Sequence, residues 1–233
     1  MEKEKEEIFM KYYTADLHFG HEAMLIPKGT RPFGSVEEMN ESIVKNINER
    51  CTVDDTLYIL GDVAQYFNVE ETIGLLKRLN PKLVLIVGNH DKSILAVTKK
   101  KQIKNVFKKV FYKVIVSDGM LLKDGNYDLF LSHYPICEWD GYYKGRYLFY
   151  GHVHNGTQGP AQLMQYIPTA INVGVDVNGF IPKTAKELIE ERKATYRIPK
   201  WDYEYLAREV VCPNVDSSRS HKCLDMSDFA FKK

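Results

Sequence analysis

The chain has 233 residues, 44% of them hydrophobic, and 32 Lys and Arg against 31 Asp and Glu give a formal net charge of +1. That length can bury one large core, and length alone leaves room for two domains. The near-cancelling charges exclude a global field drawing the chain to nucleic acid or a membrane surface, and no window approaches the run of about 18 apolar residues that spans a bilayer.

In chain order, Met1 to Glu7 alternates charges and lacks the apolar segment of a signal peptide, so a cytoplasmic, non-secreted protein with no membrane association is expected. Tyr12 to Ala15 reads as a strand running into Asp16 and His18. The loop Phe19 to Gly34 carries His21, Pro27, Gly29, Arg31 and Pro32. A helix opens at Ser35, whose hydroxyl and Glu38 make a capping-box pattern, and Met39, Ile43, Val44 and Ile47 form its apolar face. After Asp54-Asp55, the run Leu57 to Leu60 leads into Gly61-Asp62. A second helix is predicted over about 69–79, with Ile73, Leu76 and Leu79 inward and Asn80-Pro81 as its stop. Leu83 to Val87, apolar throughout, reads as a strand buried on both faces and ends in Gly88-Asn89-His90-Asp91. This alternation of strand and helix is the signature of a largely parallel sheet with right-handed crossovers.

From Lys92 to about Lys113 the apolar spacing is broadly helical, and seven lysines between 99 and 113 are read as a solvated face rather than a phosphate-attracting patch. The second half is strand-rich. Strands at about 111–116, 120–122 and 128–132 are joined by Asp118-Gly119 and Asp124-Gly125-Asn126, both read as hairpin turns. The run Leu129 to Leu131 leads to His133, and the strand at about 146–150 leads to Gly151-His152-Val153-His154. A further strand is expected at about 170–175, then a helix to about Lys193 opened by a Thr184/Glu187 capping box. A domain over 1–195 is thus followed by an extension, 196–233, expected to pack through Trp201, Tyr203 and Tyr205 and to fray at its end. Cys51, Cys137, Cys212 and Cys223 are few and far apart, fitting free thiols in a reducing compartment. Cys212, His221 and Cys223 offer only three ligands and are read as tail, not as a zinc site.

Strand ends thus deliver Asp16, His18, Asp62, Asn89, His133, His152 and His154 to one edge of a sheet, where open α/β sheets bind ligands. Six of the seven histidines fall in the first 154 residues, and five directly follow strand-like runs. Mixed oxygen and nitrogen donors suit manganese, iron or zinc better than magnesium or calcium. Seven donors are too many for one ion. If Asp62 bridges, they serve two ions about 3.5 to 4 Å apart, able to hold a hydroxide and clamp a phosphoryl group for in-line attack.

The blocks Asp16-Leu17-His18, Gly61-Asp62, Gly88-Asn89-His90-Asp91, Ser132-His133 and Gly151-His152-Val153-His154 resemble, in order and spacing, the five signatures of the calcineurin-like metallophosphoesterase superfamily, over about residues 8–180. The resemblance implies an α/β fold of two packed mixed sheets flanked by helices, a four-layer αββα sandwich. It implies that Asp16, His18, Asp62 and His154 hold one divalent transition-metal ion and Asp62, Asn89, His133 and His152 another, manganese being the first expectation and iron or zinc the alternatives. His90 then contacts phosphate and serves as general acid. One departure is informative: Gly61-Asp62-Val63-Ala64-Gln65-Tyr66-Phe67 lacks the later Asp and Arg of the Gly-Asp-x-x-Asp-Arg-Gly block of protein phosphatases and dinucleoside-tetraphosphate hydrolases. The chain resembles instead the compact bacterial and phage phosphoesterases whose first block is Asp-x-His-Phe-Gly-His, which makes His21 and Arg31 candidates for substrate contact; the alternative is a solvent-facing His and a locally paired Arg. The expected function is metal-dependent hydrolysis of a small phosphate ester, a diester or small nucleotide before a phosphoprotein. The alternatives are a protein-binding scaffold of the same fold, which His90 argues against, and a DNA or RNA nuclease, which the charge balance disfavours. No oligomeric signature is visible.

Overall fold

The structure, a computed structural model, describes residues 9–64, 69–91 and 109–196. Its elements in order are β1 (Lys11–Thr14), α1 (Val36–Arg50), β2 (Thr56–Leu60), α2 (Val69–Leu76), β3 (Lys82–Ile86), β4 (Lys113–Ile115), β5 (Met120–Asp124), β6 (Tyr127–Leu131), β7 (Tyr147–Tyr150), α3 (Pro160–Gln165), β8 (Ala170–Asn172), β9 (Lys183–Thr184) and α4 (Ala185–Thr195). Gln65, most of the lysine-rich segment and the extension beyond Tyr196 lie outside the described residues. No helix among the described residues is long and apolar enough to cross a membrane.

Two mixed sheets result. The first has the order β4-β3-β2-β1-β9, with β1 to β4 parallel and the two-residue β9 antiparallel to β1. The second has the order β5-β6-β7-β8, with β5 antiparallel to β6 and the rest parallel. Because strand side chains alternate, Leu57, Ile59, Leu83 and Leu85 face α1 and α2, while Tyr58, Leu60, Val84 and Ile86 face the second sheet. Leu129, Leu131, Phe149 and Ile171 meet them there, with Leu188 and Ile189 of α4. The outer face of the second sheet is covered by Trp139, by Met164 of α3 and by neighbours. The continuous apolar runs are therefore strands covered on both faces, in a four-layer arrangement.

The helices begin where their caps place them. Ser35 Oγ accepts the Glu38 N–H at 3.1 Å, while the Glu38 carboxylate takes the N–H of Gly34 at 2.7 Å, one residue earlier than a full capping box. Thr184 and Glu187 make the full reciprocal box. Met39, Ile43, Val44 and Ile47 of α1 are all buried, each stabilising the domain by on the order of 2 kcal/mol.

The sheets depart from expectation at β9, a strand with no signal in the sequence, and at one turn. Asp124-Gly125-Asn126 does close a hairpin, β5 to β6. Asp118-Gly119 does not: β4 pairs in parallel with β3 in the first sheet, so this turn carries the chain across to the second. Ser132 Oγ donates to the Asp118 carbonyl at 2.9 Å, and a Cβ on Gly119 would collide with the Phe130 ring, so the turn is fixed against β6 and not against β4. After β8 the chain also joins the two sheets, since Val173 N–H donates to Tyr150 of one and Val175 N–H to Ala15 of the other.

Candidate metal centre

The parallel strands β1, β2, β3, β6 and β7 all end at one rim, and the polar residues cluster there because each follows its strand directly. Pairing continues briefly beyond the strands: Asp16 N–H donates to Gly61 O and His18 N–H to Asp62 O, each at 3.0 Å. The backbone then turns sharply. Asp16, His18, Asp62, His152 and His154 all have positive φ, between 48° and 72°, and Phe180 is the one other non-glycine residue of this kind among the described residues. Left-handed backbone costs a non-glycine residue roughly 1 kcal/mol or more and is retained where the surroundings over-determine it. Here the five strained residues are five of the seven candidate ligands. Glycines make the close approaches: a Cβ on Gly61 would meet the His133 ring, one on Gly88 the Asp62 carboxylate, and one on Gly151 the Asp16 carboxylate at 2.7 Å.

The Asp62 carboxylate is the centre of the constellation. Its Oδ1 accepts the backbone N–H of His90 at 3.0 Å. Its Oδ2 stands 3.7 Å from His18 Nε2, 3.7 Å from His90 Nε2 and 3.5 Å from His133 Nε2. On one side, donor atoms of Asp16, His18 and His154 lie within 4.8 Å of one another; on the other, those of Asp62, His133 and His152 do. Asn89 Oδ1 joins the second group, 2.9 Å from His133 Nε2. All seven candidates and His90 are therefore brought together. Asp16 also takes the backbone N–H of His152 at 2.9 Å, linking the ends of β1 and β7.

The donor chemistry fits cations. His18 is 1% exposed, and neither of its ring nitrogens has a hydrogen-bond partner; burial, with His154 and Arg31 nearby, pushes it down to about 2, so it is neutral and its lone pair is free. His133 Nδ1 faces the Leu60 carbonyl at 2.8 Å, which fixes the proton there and turns the Nε2 lone pair toward Asn89 and Asp62. Burial lowers His133 and His152 likewise and pushes Asp16 up to about 8 and Asp62 up. Neutral imidazoles around carboxylates that burial disfavours as anions form a set that divalent cations satisfy.

Two residues outside the ligand set, Asp91 and Asp176, hold it in place. The fully buried Asp91 accepts the N–H groups of Asp62 at 2.8 Å, Val63 at 3.0 Å and Gly88 at 2.9 Å. Asp176 accepts from His154 Nδ1 at 2.8 Å. Its carboxyl sits at about 2: burial alone raises it, but the bonds from His154 and Arg31 outweigh that. Asp91 falls inside the third sequence block, where its role could have been suspected from its place after Asn89-His90. Asp176 carries no local signal.

The two candidate substrate contacts diverge. The His21 ring lies 5.3 Å from that of His18 and borders an open depression of about 740 Å³ that runs past Lys28, Asn40 and Glu71. Arg31 is 0% exposed and faces inward. Its Nε donates to Asp176 Oδ1 at 2.8 Å, Nη1 to the Leu17 carbonyl at 2.8 Å and to Met39 Sδ at 3.5 Å, and Nη2 to the Asp16 carbonyl at 2.6 Å and to Asp176 Oδ2 at 3.0 Å. All five N–H donors of a guanidinium are then engaged within the protein.

The family model described as calcineurin-like phosphoesterase matches residues 12–156. The chain is similar to an uncharacterized protein of Methanocaldococcus jannaschii, 31% identical over 191 residues that cover 80% of this chain and 95% of that protein. It is 25% identical over 186 residues to the gene 66 protein of Mycobacterium phage L5, covering 72% of this chain and 87% of that protein. Among solved structures, a protein of unknown function from Aquifex aeolicus superposes with a TM-score of 0.59 at 25% identity, over 79% of this chain and 100% of that one.

Proposed function

We propose that this chain, which belongs to the calcineurin-like phosphoesterase family, hydrolyses small phosphate esters with two divalent transition-metal ions, manganese foremost, and takes diesters or small nucleotides in preference to phosphoproteins. The observation that carries this reading is the Asp62 Oδ2 atom, flanked by the imidazoles of His18 and His133. Asp16, His18, Asp62 and His154 would hold one ion, and Asp62, Asn89, His133 and His152 the other. Bound there, the ions supply Lewis acidity toward the phosphoryl group.

The protein's own groups do the rest. The His90 backbone N–H pins Asp62 Oδ1 and leaves Oδ2 turned to the imidazoles. Leu60 and Asp176 fix which nitrogen of His133 and His154 carries the proton, so both rings present lone pairs inward. The His90 side chain is 32% exposed and lies beside His18 and Asp62 but outside both assigned ligand sets, so its ring would serve as donor to the departing alkoxide oxygen. The preference for diesters follows the departure at Gly61-Asp62-Val63-Ala64-Gln65, which lacks the later Asp and the phosphate-binding Arg of the phosphatase block; Arg31, engaged in the interior, does not stand in for that Arg.

Manganese-loaded protein assayed on bis-p-nitrophenyl phosphate and p-nitrophenyl phosphate, alongside cyclic nucleotides and dinucleotides, tests the reading. We expect kcat/KM on diesters to exceed that on monoesters by at least about tenfold, ~1.4 kcal/mol in the barrier, with all activity lost to chelators. Faster turnover of the monoester, or turnover that survives chelation, would contradict it.

A further inference from the structure

Arg31 and Asp176 lie 145 positions apart in sequence, on the loop after β1 and in the turn after β8, yet they share two hydrogen bonds in the interior. Besides Met39 Sδ and the Phe180 ring, which pack against the guanidinium, the other contacts of the pair run to one half of the metal centre. Arg31 clasps the carbonyls of Asp16 and Leu17, the two peptide units that lead into His18. Asp16 and His18 have positive φ, at 57° and 48°, so this is a strained turn held from below by one side chain. Asp176 Oδ2, while accepting from Arg31, also accepts from His154 Nδ1 at 2.8 Å, which fixes the ring's orientation and leaves Nε2 for the ligand group of Asp16 and His18. Among the described residues, no hydrogen bond of Arg31 or Asp176 reaches Asn89, His133 or His152: the Leu60 carbonyl braces the His133 ring, and His152 N–H donates to the Asp16 carboxylate, whereas Arg31 holds only the Asp16 backbone carbonyl.

We infer that Arg31 and Asp176 are positioning residues for a single one of the two ions, the one assigned to Asp16, His18, Asp62 and His154, and that the other ion is held independently of them. The inference rests on the two-ion reading above. Carboxylates bonded to the far nitrogen of a ligand histidine typically change metal affinity by about 10- to 100-fold when removed. Here the same carboxylate is locked by an arginine that also fixes the backbone leading through two further ligands, Asp16 and His18. Arg31 thus joins three ligands of one ion, and it serves the reaction without touching substrate.

The test uses the full chain stripped with a chelator, with manganese alone as titrant. Asp176→Asn removes an acceptor facing His154 and Arg31; Arg31→Lys keeps the buried positive charge while giving up the fork that reaches both carbonyls. Folding of each stripped variant is checked by circular dichroism, and the two binding steps are then resolved by calorimetry. We expect wild-type protein to take up two ions, and each variant to weaken one step by at least about tenfold while the other stays within about threefold. Nitrogen-15 spectra of the stripped protein should show His154 protonated at Nδ1 in the wild type and a mixture of tautomers in Asp176→Asn. Asp176→Glu, which keeps the charge, should recover part of the lost step. Two unchanged steps in a folded variant, or equal weakening of both, would overturn the inference while leaving the two-ion reading intact. Wild-type protein saturating at one ion would remove that reading and the inference with it. If none of the three variants folds, the pair belongs to the fold alone and the inference is wrong.

Discussion

The buried carboxylate of Asp91 accepts the backbone N–H of Asp62 at 2.8 Å, 29 positions earlier in the chain. With the N–H groups of Val63 and Gly88 on the same carboxylate, it welds the end of β2 to the end of β3. Burial raises its carboxyl, so the three donors compensate a substantial desolvation cost. Replacing one oxygen with an amide group turns a donor toward a donor. We expect Asp91→Asn to lower the stability of chelated protein by about 2 to 4 kcal/mol, the range for a lost bond to a charged group plus an unsatisfied buried N–H. Urea unfolding measures it, and a loss below about 1 kcal/mol would show that the carboxylate is dispensable.

Asp62→Asn and His154→Ala remove ligands without disturbing the core between the sheets. By analogy with the loss of one preorganised transition-state donor, activity should fall by at least about a thousandfold, ~4 kcal/mol. The melting of the chelated variants should stay close to that of the wild type. Retention of more than a tenth of wild-type turnover at saturating manganese, in either variant, would exclude the assignment.

His90 separates general acid from extra ligand, since its Nε2 stands 3.7 Å from Asp62 Oδ2. A general acid matters most for a poor leaving group. His90→Ala should slow alkyl diesters by about 100-fold or more and nitrophenyl esters only slightly, with two manganese ions still bound. Equal loss on both substrate types together with a missing ion would instead make His90 a ligand.

His18 links the centre to acid stability. Burial holds its folded pKa at about 2, against about 6.5 in the unfolded chain. Between these values the unfolded state binds one more proton, so stability falls as pH falls below about 6.5, by up to ~1.4 kcal/mol per pH unit. His154 works the other way, its pKa lifted in spite of burial by Asp176 and Asp16. Comparison with His18→Asn isolates the one residue. From pH 6.5 to 5 the chelated wild type should lose about 2 kcal/mol more than the variant. Parallel pH profiles would mean that His18 is already charged or solvated in the folded protein.

Much of this architecture was legible in the residues because burial writes itself locally. Leu83 to Ile86 is apolar throughout because both of its faces are covered, and the ligands are conspicuous because each breaks such a run at its end. The caps at Ser35 and Thr184 are equally local. What was illegible depends on distant partners. Asp118-Gly119 has the composition of a hairpin turn, and only the open edge of β3 decides that the preceding strand pairs elsewhere. Lys183–Thr184 is too short for any periodicity and becomes a strand because it meets Tyr12 and Tyr13. Arg31 is open in the sequence between a substrate contact and a locally paired side chain for the same reason: Asp176, which claims it, is 145 positions away.

The central claim is that Asp62 is shared between two ions. Anomalous diffraction from crystals grown in manganese tests it most directly. We expect two peaks about 3.5 to 4 Å apart, both in ligating contact with the Asp62 carboxylate, one flanked by Asp16, His18 and His154 and the other by Asn89, His133 and His152. A single peak at saturating manganese, or two peaks without Asp62 between them, would contradict the account.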